Sequence, residues 1–414
     1  MPAPGLPTPR SDPMQTTSIP FPIPDRATPF NLETASSSTV KTISTIEPST
    51  EPSNANQFRR EICRTGCSES FLMFLSRSGD NPTAMFDRMD DHLRHRDGKV
   101  ARKDSIGLLN TQGTATLQQR YCCDCDDCPL NVSVGEAHTD CPVTGLYVHT
   151  VSGTPVEPVW LGGRIVGTIY EDAHARYCQL KEIHPDSRLS REEQARQIFE
   201  RMESALHQVG MSFSHVVRTW LFVDDILDWY DELNQIRDQF FTTRGIYDGL
   251  VPASTGVGAS NSSGSAITCS LTAVMPKTEN VIIEAVPSPL QGAALEYGSS
   301  FSRAVELAMP DHRRLLVSGT ASIAPSGETL HVGDVDEQVA LTMRVVEAIL
   351  ESRGMNWADV TRGAAYFKHL EDLPAYDRFC REHDVTELPV AVVQNDVCRD
   401  DLLFEIEVDA IGEA

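Results

Sequence analysis

The chain has 414 residues, with 59 acidic and 35 basic side chains and a formal charge of −24. A negative charge of this size repels nucleic-acid phosphates and anionic membrane surfaces, so neither is an expected partner. No segment reaches the roughly 18–20 uninterrupted apolar residues of a membrane span, and the first residues do not resemble a signal peptide. We therefore expect a cytoplasmic protein.

Two regions precede the part of the chain with regular patterns. Residues 1–57 are rich in serine and threonine and hold 11 of the 25 prolines. This composition buries too little apolar surface to offset chain entropy, so the segment is predicted to be disordered. Residues 58–150 form a cysteine-containing region of unknown role, in which the run FLMFLSR (Phe71–Arg77) predicts a helix.

The cysteines of this region suggest a candidate metal site. The stretch YCCDCDDCP places Cys122, Cys125 and Cys128 at intervals that suit tetrahedral zinc, and Cys141 could supply a fourth thiolate. The alternative is a thiol-rich segment without metal, because no second CxxC pair follows at zinc-ribbon distance.

The rest of the chain contains an internal repeat. EEQARQIFERMESALHQVGMSFSHVVRTWLFVDD aligns without gaps to DEQVALTMRVVEAILESRGMNWADVTRGAAYFKH, 144 residues further on. The identical pairs are Glu193/Glu337, Gln194/Gln338, Glu203/Glu347, Leu206/Leu350, Gly210/Gly354, Met211/Met355, Val216/Val360 and Arg218/Arg362. This agreement in one register indicates two copies of one structural unit.

Each copy has the same predicted order of elements. A strand-like opening leads to an amphipathic helix, which ends at Gly210 or Gly354, where glycine can adopt the left-handed conformation of a helix C-cap. A strand, a second helix and a final strand after Pro252 or Pro389 follow. The order β-α-β-α-β, with helices on one face of a mixed sheet, predicts tandem α+β domains.

The last strand carries the first catalytic candidate. Alternation along the strand places Glu405 and Glu407 on one face, opposite the apolar residues between them. A solvated sheet face would explain them, but the corresponding stretch of the first copy, TCSLTAV (Thr268–Val274), has no carboxylate. If this face packs against the neighbouring domain, desolvation raises the pKa of a carboxyl group and provides a proton donor near neutral pH.

A second cluster of candidates surrounds a predicted pocket. The strand segment Ser318–Ser322 consists of small residues, which leave room for a ligand, although tight interdomain packing would require the same. Tyr297 and Arg303 could supply a hydroxyl group and a positive charge. Cys398 and Arg399, just before the last strand, would contact a substrate and hold a carboxylate; their ordinary roles are core packing and surface ion pairing.

These motifs resemble a known family. Residues 156–412 resemble two RidA/YjgF-like domains, which we place at 151–285 (non-catalytic) and 290–414 (catalytic). The tandem order of RTWLFVDDILDWYDELN, PASTGVG, YGSSFSRA, SGTASI and VCRDDLLFEIE resembles more specifically the chorismatases, which are built on two RidA-like halves.

The resemblance implies an activity and a set of site residues. Chorismatases cleave the enolpyruvyl ether of chorismate without a cofactor and release pyruvate, and Glu405 matches the glutamate that protonates the methylene group. A cysteine at Cys398 accompanies the branch that makes 3-hydroxybenzoate, but the small residue at Ala321 also differs between branches, so a dihydroxycyclohexadiene carboxylate remains an alternative product. The substrate-binding residues implied are Tyr297, Arg303, Gly319, Thr320, Ala321, Tyr366 and Arg399.

Alternatives remain at this level. A RidA-type enamine or imine deaminase would need an arginine shortly after Pro389, where this chain has Val390 and Ala391. A non-catalytic small-molecule-binding regulator, with the cysteine-rich region as a docking element, is a second alternative. RidA domains generally form trimers, so a homo-oligomer is also expected from the resemblance.

Overall fold

The computed structural model of the protein describes residues 56–64, 66–77, 79–81, 83–94, 98–107, 130–133, 136–137, 143–261, 263–385 and 387–414. All of them lie in a single compact unit. Nearly all of the segment predicted to be disordered, and the four candidate zinc-ligand cysteines, fall outside the described residues. Among the described helices, none is both long and apolar enough to cross a membrane.

The described residues before 153 form a sheet and a helix, a fold that the sequence did not reveal. The sheet has the order β1-β2-β6-β3-β4. Its elements are β1 (Gln57–Arg64), β2 (Cys67–Leu75), α1 (Ala84–Arg94), β3 (Lys99–Gly107), β4 (Leu130–Ser133) and β6 (Val143–Ser152), and a short β5 (Glu136–Ala137) pairs with a strand of the last sheet.

The helix predicted at Phe71–Arg77 is wrong, because most of this run lies in β2. Its apolar residues are continuous because both faces of the strand are covered. Leu72 and Phe74 pack with the helix α1, whereas Phe71 and Met73 join a cluster shared with the other two sheets. A short apolar run buried on both faces cannot be distinguished from a buried helix by periodicity.

The first repeat follows with a six-stranded sheet of order β11-β10-β12-β9-β8-β7. Its elements are β7 (Val156–Leu161), β8 (Arg164–Glu171), β9 (Ala175–Ile183), α2 (Arg191–Gln208), β10 (Val216–Val223), α3 (Ile226–Thr243), β11 (Ala253–Gly258) and β12 (Ile267–Pro276). Ser190 and Glu193 form a capping box at the start of α2. Gly210 after this helix has φ +71°, the left-handed conformation that was predicted.

The second repeat has a seven-stranded sheet of order β13-β14-β15-β18-β16-β17-β5. Its elements are β13 (Ile282–Val286), β14 (Ala304–Ala308), β15 (His312–Ala321), α4 (Val335–Glu351), β16 (Val360–Phe367), α5 (Leu373–Glu382), β17 (Val390–Gln394) and β18 (Phe404–Glu413). Asp334 caps α4 by accepting a hydrogen bond from the backbone N–H of Glu337, and Gly354 has φ +67°. The α+β prediction is confirmed, with extra strands at both ends of each predicted unit.

All three sheets contain the same five-strand pattern. The orders β1-β2-β6-β3-β4, β8-β9-β12-β10-β11 and β14-β15-β18-β16-β17 share antiparallel neighbours, except for a parallel final pair. In each sheet an irregularity in register precedes an arginine on the fourth strand of this order, namely Arg102, Arg218 and Arg362. Their guanidinium carbons lie 4.1, 4.7 and 5.2 Å from the Trp220 ring. The described part of the chain therefore contains three copies of one unit.

The sheets meet in the interior, and their helices lie on the opposite faces. Buried apolar side chains of all three sheets form one shared cluster. Arg64 of β1 joins the three units through ion pairs: its guanidinium nitrogens lie 3.1 Å from Glu69 of its own unit, 2.6 Å from Asp172 of the first repeat and 2.6 Å from Asp311 of the second. This arrangement places the last strand of the second repeat against the first repeat.

Candidate active site

The two glutamates of β18 are buried against the first repeat. Glu405 is 4% exposed and Glu407 is fully buried, whereas Phe404 and Ile406 on the other face pack with the helices of the second repeat. The alternative of a solvated sheet face is therefore excluded.

Glu407 is held by hydrogen-bond donors from both repeats. Arg218 Nη2 lies 2.6 Å from Oε2, Arg362 Nη2 lies 2.7 Å from Oε1, and Trp220 Nε1 lies 2.8 Å from Oε2. The Thr255 hydroxyl also donates to Oε2. Burial alone would raise the pKa of Glu407, but Arg362 and Arg218 outweigh it and hold the pKa below its ordinary value.

Glu405 has the opposite environment. Its carboxyl group fills the space beside Gly319 of β15, where a Cβ atom would lie 2.0 Å from Oε1. Burial raises the pKa of Glu405 to about 8, with a further contribution from the charge of Glu407. At neutral pH the strand thus presents one protonated and one ionised carboxyl group, a division found where acid and base roles are separated.

Glu405 borders a cavity of about 510 Å³ between the two repeats. The first repeat contributes residues of α3 and β11: Tyr230, Asp231, Asn234, Gln235, Arg237, Asp238, Ser254 and Gly256. The second repeat contributes Tyr297, Gly298, Ser299, Phe301, Arg303, Gly319, Ala321, Ile323, Cys398, Arg399 and Glu405. The volume is typical of small-molecule sites, which span about 300–1,000 Å³.

Three arginines make part of this cavity positive. Arg303 Nε donates to the carbonyl of Gly292, but its buried Nη2 has no hydrogen-bond partner among the described residues. Arg237 donates to Asn234 Oδ1 at 2.6 Å, and its buried Nε likewise lacks a partner within the described part. Arg399 donates to the carbonyl of Gly327 at 2.6 Å. Such guanidinium groups are suited to bind carboxylates.

Tyr297 and Cys398 complete the predicted group around the acid. The Tyr297 ring lies between two cations, 5.4 Å from the guanidinium carbon of Arg303 and 5.8 Å from that of Arg399. Burial raises the pKa of the Cys398 thiol to about 12, and the neighbouring Glu405 adds to this shift. Cys398 is therefore a neutral thiol in the cavity wall, not a thiolate nucleophile.

The structure brings together most of the predicted site residues. Glu405, Tyr297, Arg303, Gly319, Ala321, Cys398 and Arg399 all border the cavity. Gly319 differs in detail from the prediction, because the space it leaves is filled by the Glu405 carboxyl group rather than left for a ligand. Thr320 and Tyr366 are buried away from the cavity wall; the hydroxyl of Thr320 donates to the Ser318 carbonyl, and Tyr366 lies in the cluster between the sheets.

The residues that α3 contributes to the cavity wall were not predicted from the sequence. Tyr230, Asn234 and Arg237 follow one another at helical intervals of four and three residues, so they lie on the same face. Arg237 is 2% exposed although arginine is rarely buried. Polar side chains at this spacing on one face of an amphipathic helix are the signal that would have indicated a pocket wall. Among the described residues, no group of His, Cys, Asp and Glu is arranged to hold a metal ion.

Comparisons with known proteins agree with this architecture. Residues 185–266 and 292–412 match the family model described as endoribonuclease L-PSP. The chain is 32% identical over 218 residues to a chorismatase of Streptomyces rapamycinicus, covering 48% of this chain and 64% of that protein. It is 28% identical over 300 residues to a 3-hydroxybenzoate synthase of Streptomyces hygroscopicus, covering 63% of this chain and 84% of that protein.

A solved structure has the same fold. The crystal structure of a chorismatase superposes with a TM-score of 0.56 at 21% identity, covering 75% of this chain and 93% of that one. The matched segments and repeated sheets make the two repeats similar to L-PSP-type domains. In sequence the chain is similar to two Streptomyces chorismatases, as the sequence motifs predicted. The alignments span less than two thirds of the length of the two Streptomyces chorismatases, at 64% and 62%.

Proposed function

We propose that this protein cleaves the enolpyruvyl ether of chorismate and releases pyruvate, with Glu405 as the general acid. The observation that carries the proposal is the carboxyl group of Glu405, which borders a cavity between the repeats and has a pKa raised to about 8 by burial. An enol ether is cleaved after protonation of its methylene carbon, which requires an acid that still holds its proton at neutral pH.

The charges around the cavity suit a dicarboxylate substrate. Chorismate is a dianion, and a chain of charge −24 repels it unless local cations compensate. Arg303, Arg237 and Arg399 supply that charge, and two of them have buried nitrogens without a partner among the described residues. We propose that these arginines hold the carboxylates, with Tyr297 as an additional donor.

The proposed reaction needs no group beyond the substrate, water and Glu405. The Glu405 proton moves to the methylene carbon, and the resulting oxocarbenium ion accepts water at the ether carbon. The hemiketal collapses to pyruvate and the ring alcohol, a dihydroxycyclohexadiene carboxylate, and a proton returns to Glu405. If the ring instead aromatises with loss of the equivalent of that water, the co-product is 3-hydroxybenzoate. The neutral thiol of Cys398 beside the acid is consistent with the second product.

Replacing Glu405 with glutamine tests the proposal. We expect wild-type protein to release pyruvate from chorismate, and Glu405→Gln to lose at least about 100- to 1,000-fold in kcat because the proton donor is absent. Glu182→Gln is a matched control: Glu182 is another carboxyl group whose pKa burial raises, to about 7, but it does not border the cavity. Chromatography of the ring product then distinguishes the two alternatives. Equal activity of wild type and Glu405→Gln, or no pyruvate from either, would overturn the assignment.

A further inference from the structure

Glu407 does not border the cavity, yet it lies on the same face of β18 as Glu405, about 7 Å further along the strand. Each group that contacts its carboxylate is a donor, from Arg218, Trp220, Thr255 and Arg362. A protonated Glu407 would have to give up at least one of these bonds. The geometry therefore requires Glu407 to be ionised and prevents it from acting as a proton donor.

Thr255 connects the surroundings of the two carboxyl groups. Its Oγ1 accepts hydrogen bonds from Arg218 Nη2 at 2.6 Å and from the backbone N–H of Gly319 at 3.0 Å, so its own proton is donated to Glu407. Its methyl group packs at the position where Gly319 makes room for Glu405. Thr255 therefore separates Arg218 from Glu405, and the charge of Arg218 is paired with Glu407.

The charged and titratable groups around Glu405 come from every element packed against it. They are Glu407 on β18, Arg218 on β10, Tyr366 on β16, Tyr230, Asp231, Arg237 and Asp238 on α3, Cys398 and Arg399 before β18, and Tyr297 and Arg303 before β14. Among these, Arg218 favours the ionised form of Glu405, and the negative charge of Glu407 favours the protonated form.

We propose that Glu407 is a positioning residue, which neutralises Arg218 and Arg362 and thereby keeps Glu405 in its acid form. This role rests on the proposed function of Glu405, since Glu407 touches neither the cavity nor the substrate. Without the Glu407 charge, the buried guanidinium group of Arg218 would lose its ion pair, whereas Arg362 would keep those with Asp409 and Asp104. The carboxyl group of Glu405 is available to ionise and balance Arg218.

The test measures the protonation of Glu405 directly, without substrate. Infrared difference spectra against pH follow the carbonyl stretch of its protonated carboxyl group, identified by its loss in Glu405→Gln. We expect Glu407→Gln to move the titration midpoint down by at least about one pH unit, because a negative charge about 7 Å away is removed and Arg218 loses its ion pair. Arg218→Gln should move it up, and Glu182→Gln should leave it unchanged.

Shifts of opposite sign distinguish an electrostatic role from a merely structural one. If Glu407→Gln does not fold, the proposal is tested with Arg218→Gln and with the double variant Arg218→Gln/Glu407→Gln. The double variant removes two opposite charges together, so its titration midpoint should return to within about half a pH unit of wild type. Midpoints that stay at the wild-type value in Glu407→Gln, or in Arg218→Gln where only that variant folds, would overturn the proposal. Because the readout is independent of turnover, it remains informative even if chorismate is not the substrate.

Discussion

The two repeats place a carboxyl group with a raised pKa at different positions of the same backbone. Val317 pairs with Val408 in the second repeat as Leu180 pairs with Leu271 in the first, and both sheets have a register irregularity at the next residues. In this register Gly319 and Glu405 of the second repeat correspond to Glu182 and Thr268 of the first. The carboxyl group therefore lies on β9 in the first repeat and on β18 in the second.

This difference shows that a raised pKa does not by itself create an active site. Burial raises the pKa of Glu182 to about 7, yet Glu182 does not border the cavity that holds the three arginines. Glu405 has both a raised pKa and a position at this cavity, whose opposite wall is provided by α3 and β11 of the first repeat. The repeat without the acid thus completes the site of the repeat that has it.

A feature that both repeats share is an ion pair with Arg64, and replacing Arg64 tests its contribution to stability. Asp172 and Asp311 lie in corresponding turns, and both pair with Arg64, so Arg64→Met leaves carboxylates of all three units without this partner. We expect a loss of about 3–5 kcal/mol in the free energy of unfolding, measured by urea denaturation. Arg188→Met is the control: Arg188 pairs with Asp186 at the surface, so its loss should change the free energy of unfolding far less. Equal losses in the two variants would contradict the role of Arg64.

The sequence was sufficient where a pattern repeats along the chain. Gly210 and Gly354 ended their helices as predicted because only a left-handed residue terminates a helix in this way. Glu405 and Glu407 were found because their strand carries carboxylates where that of the first repeat has none, and the resemblance to the chorismatases selected Glu405. Repetition provided an internal reference in both cases.

The sequence was insufficient where the structure depends on contacts between units. The first sheet shares the strand order of the repeats without a recognisable repeat in sequence, and the strand β2 is apolar on both faces because two neighbours cover it. The partners of Glu407 lie 45 to 189 residues away along the chain. No local pattern encodes these contacts, so the pairing of Glu407 with Arg218 was not predictable.

The repeats differ at Gly319, which corresponds to Glu182 of the first repeat, and replacing Gly319 tests whether it positions Glu405. In Gly319→Ala the new Cβ would lie 2.0 Å from Glu405 Oε1, so the carboxyl group must move from its place beside the cavity. We expect kcat for pyruvate release to fall about 100-fold, since misplacement of about 1 Å can have that effect, with little change in melting temperature. Gly256→Ala is the matched control on the opposite wall, where the nearest atom is the Tyr230 hydroxyl at 3.3 Å. Similar activity of the two variants would show that the position of Glu405 is not constrained by Gly319.

The smallest effect concerns stability at alkaline pH. The pKa of Glu405 is raised from 4.5 to about 8 in the folded protein, so its proton stabilises the fold fully below pH 4.5, and this contribution is lost as the pH rises towards 8. Glutamine cannot ionise, so Glu405→Gln should gain on wild type by on the order of 2 kcal/mol between pH 6 and 8, measured by urea denaturation at each pH. Glu182→Gln should show a gain of the same sign, because burial raises that pKa as well. We expect both variants to gain stability and only Glu405→Gln to lose activity. This result would show that both repeats bear the cost of desolvating a carboxyl group, whereas only the second repeat uses that group in catalysis. A flat difference between Glu405→Gln and wild type over this range would mean that Glu405 is already ionised at neutral pH and cannot be the acid.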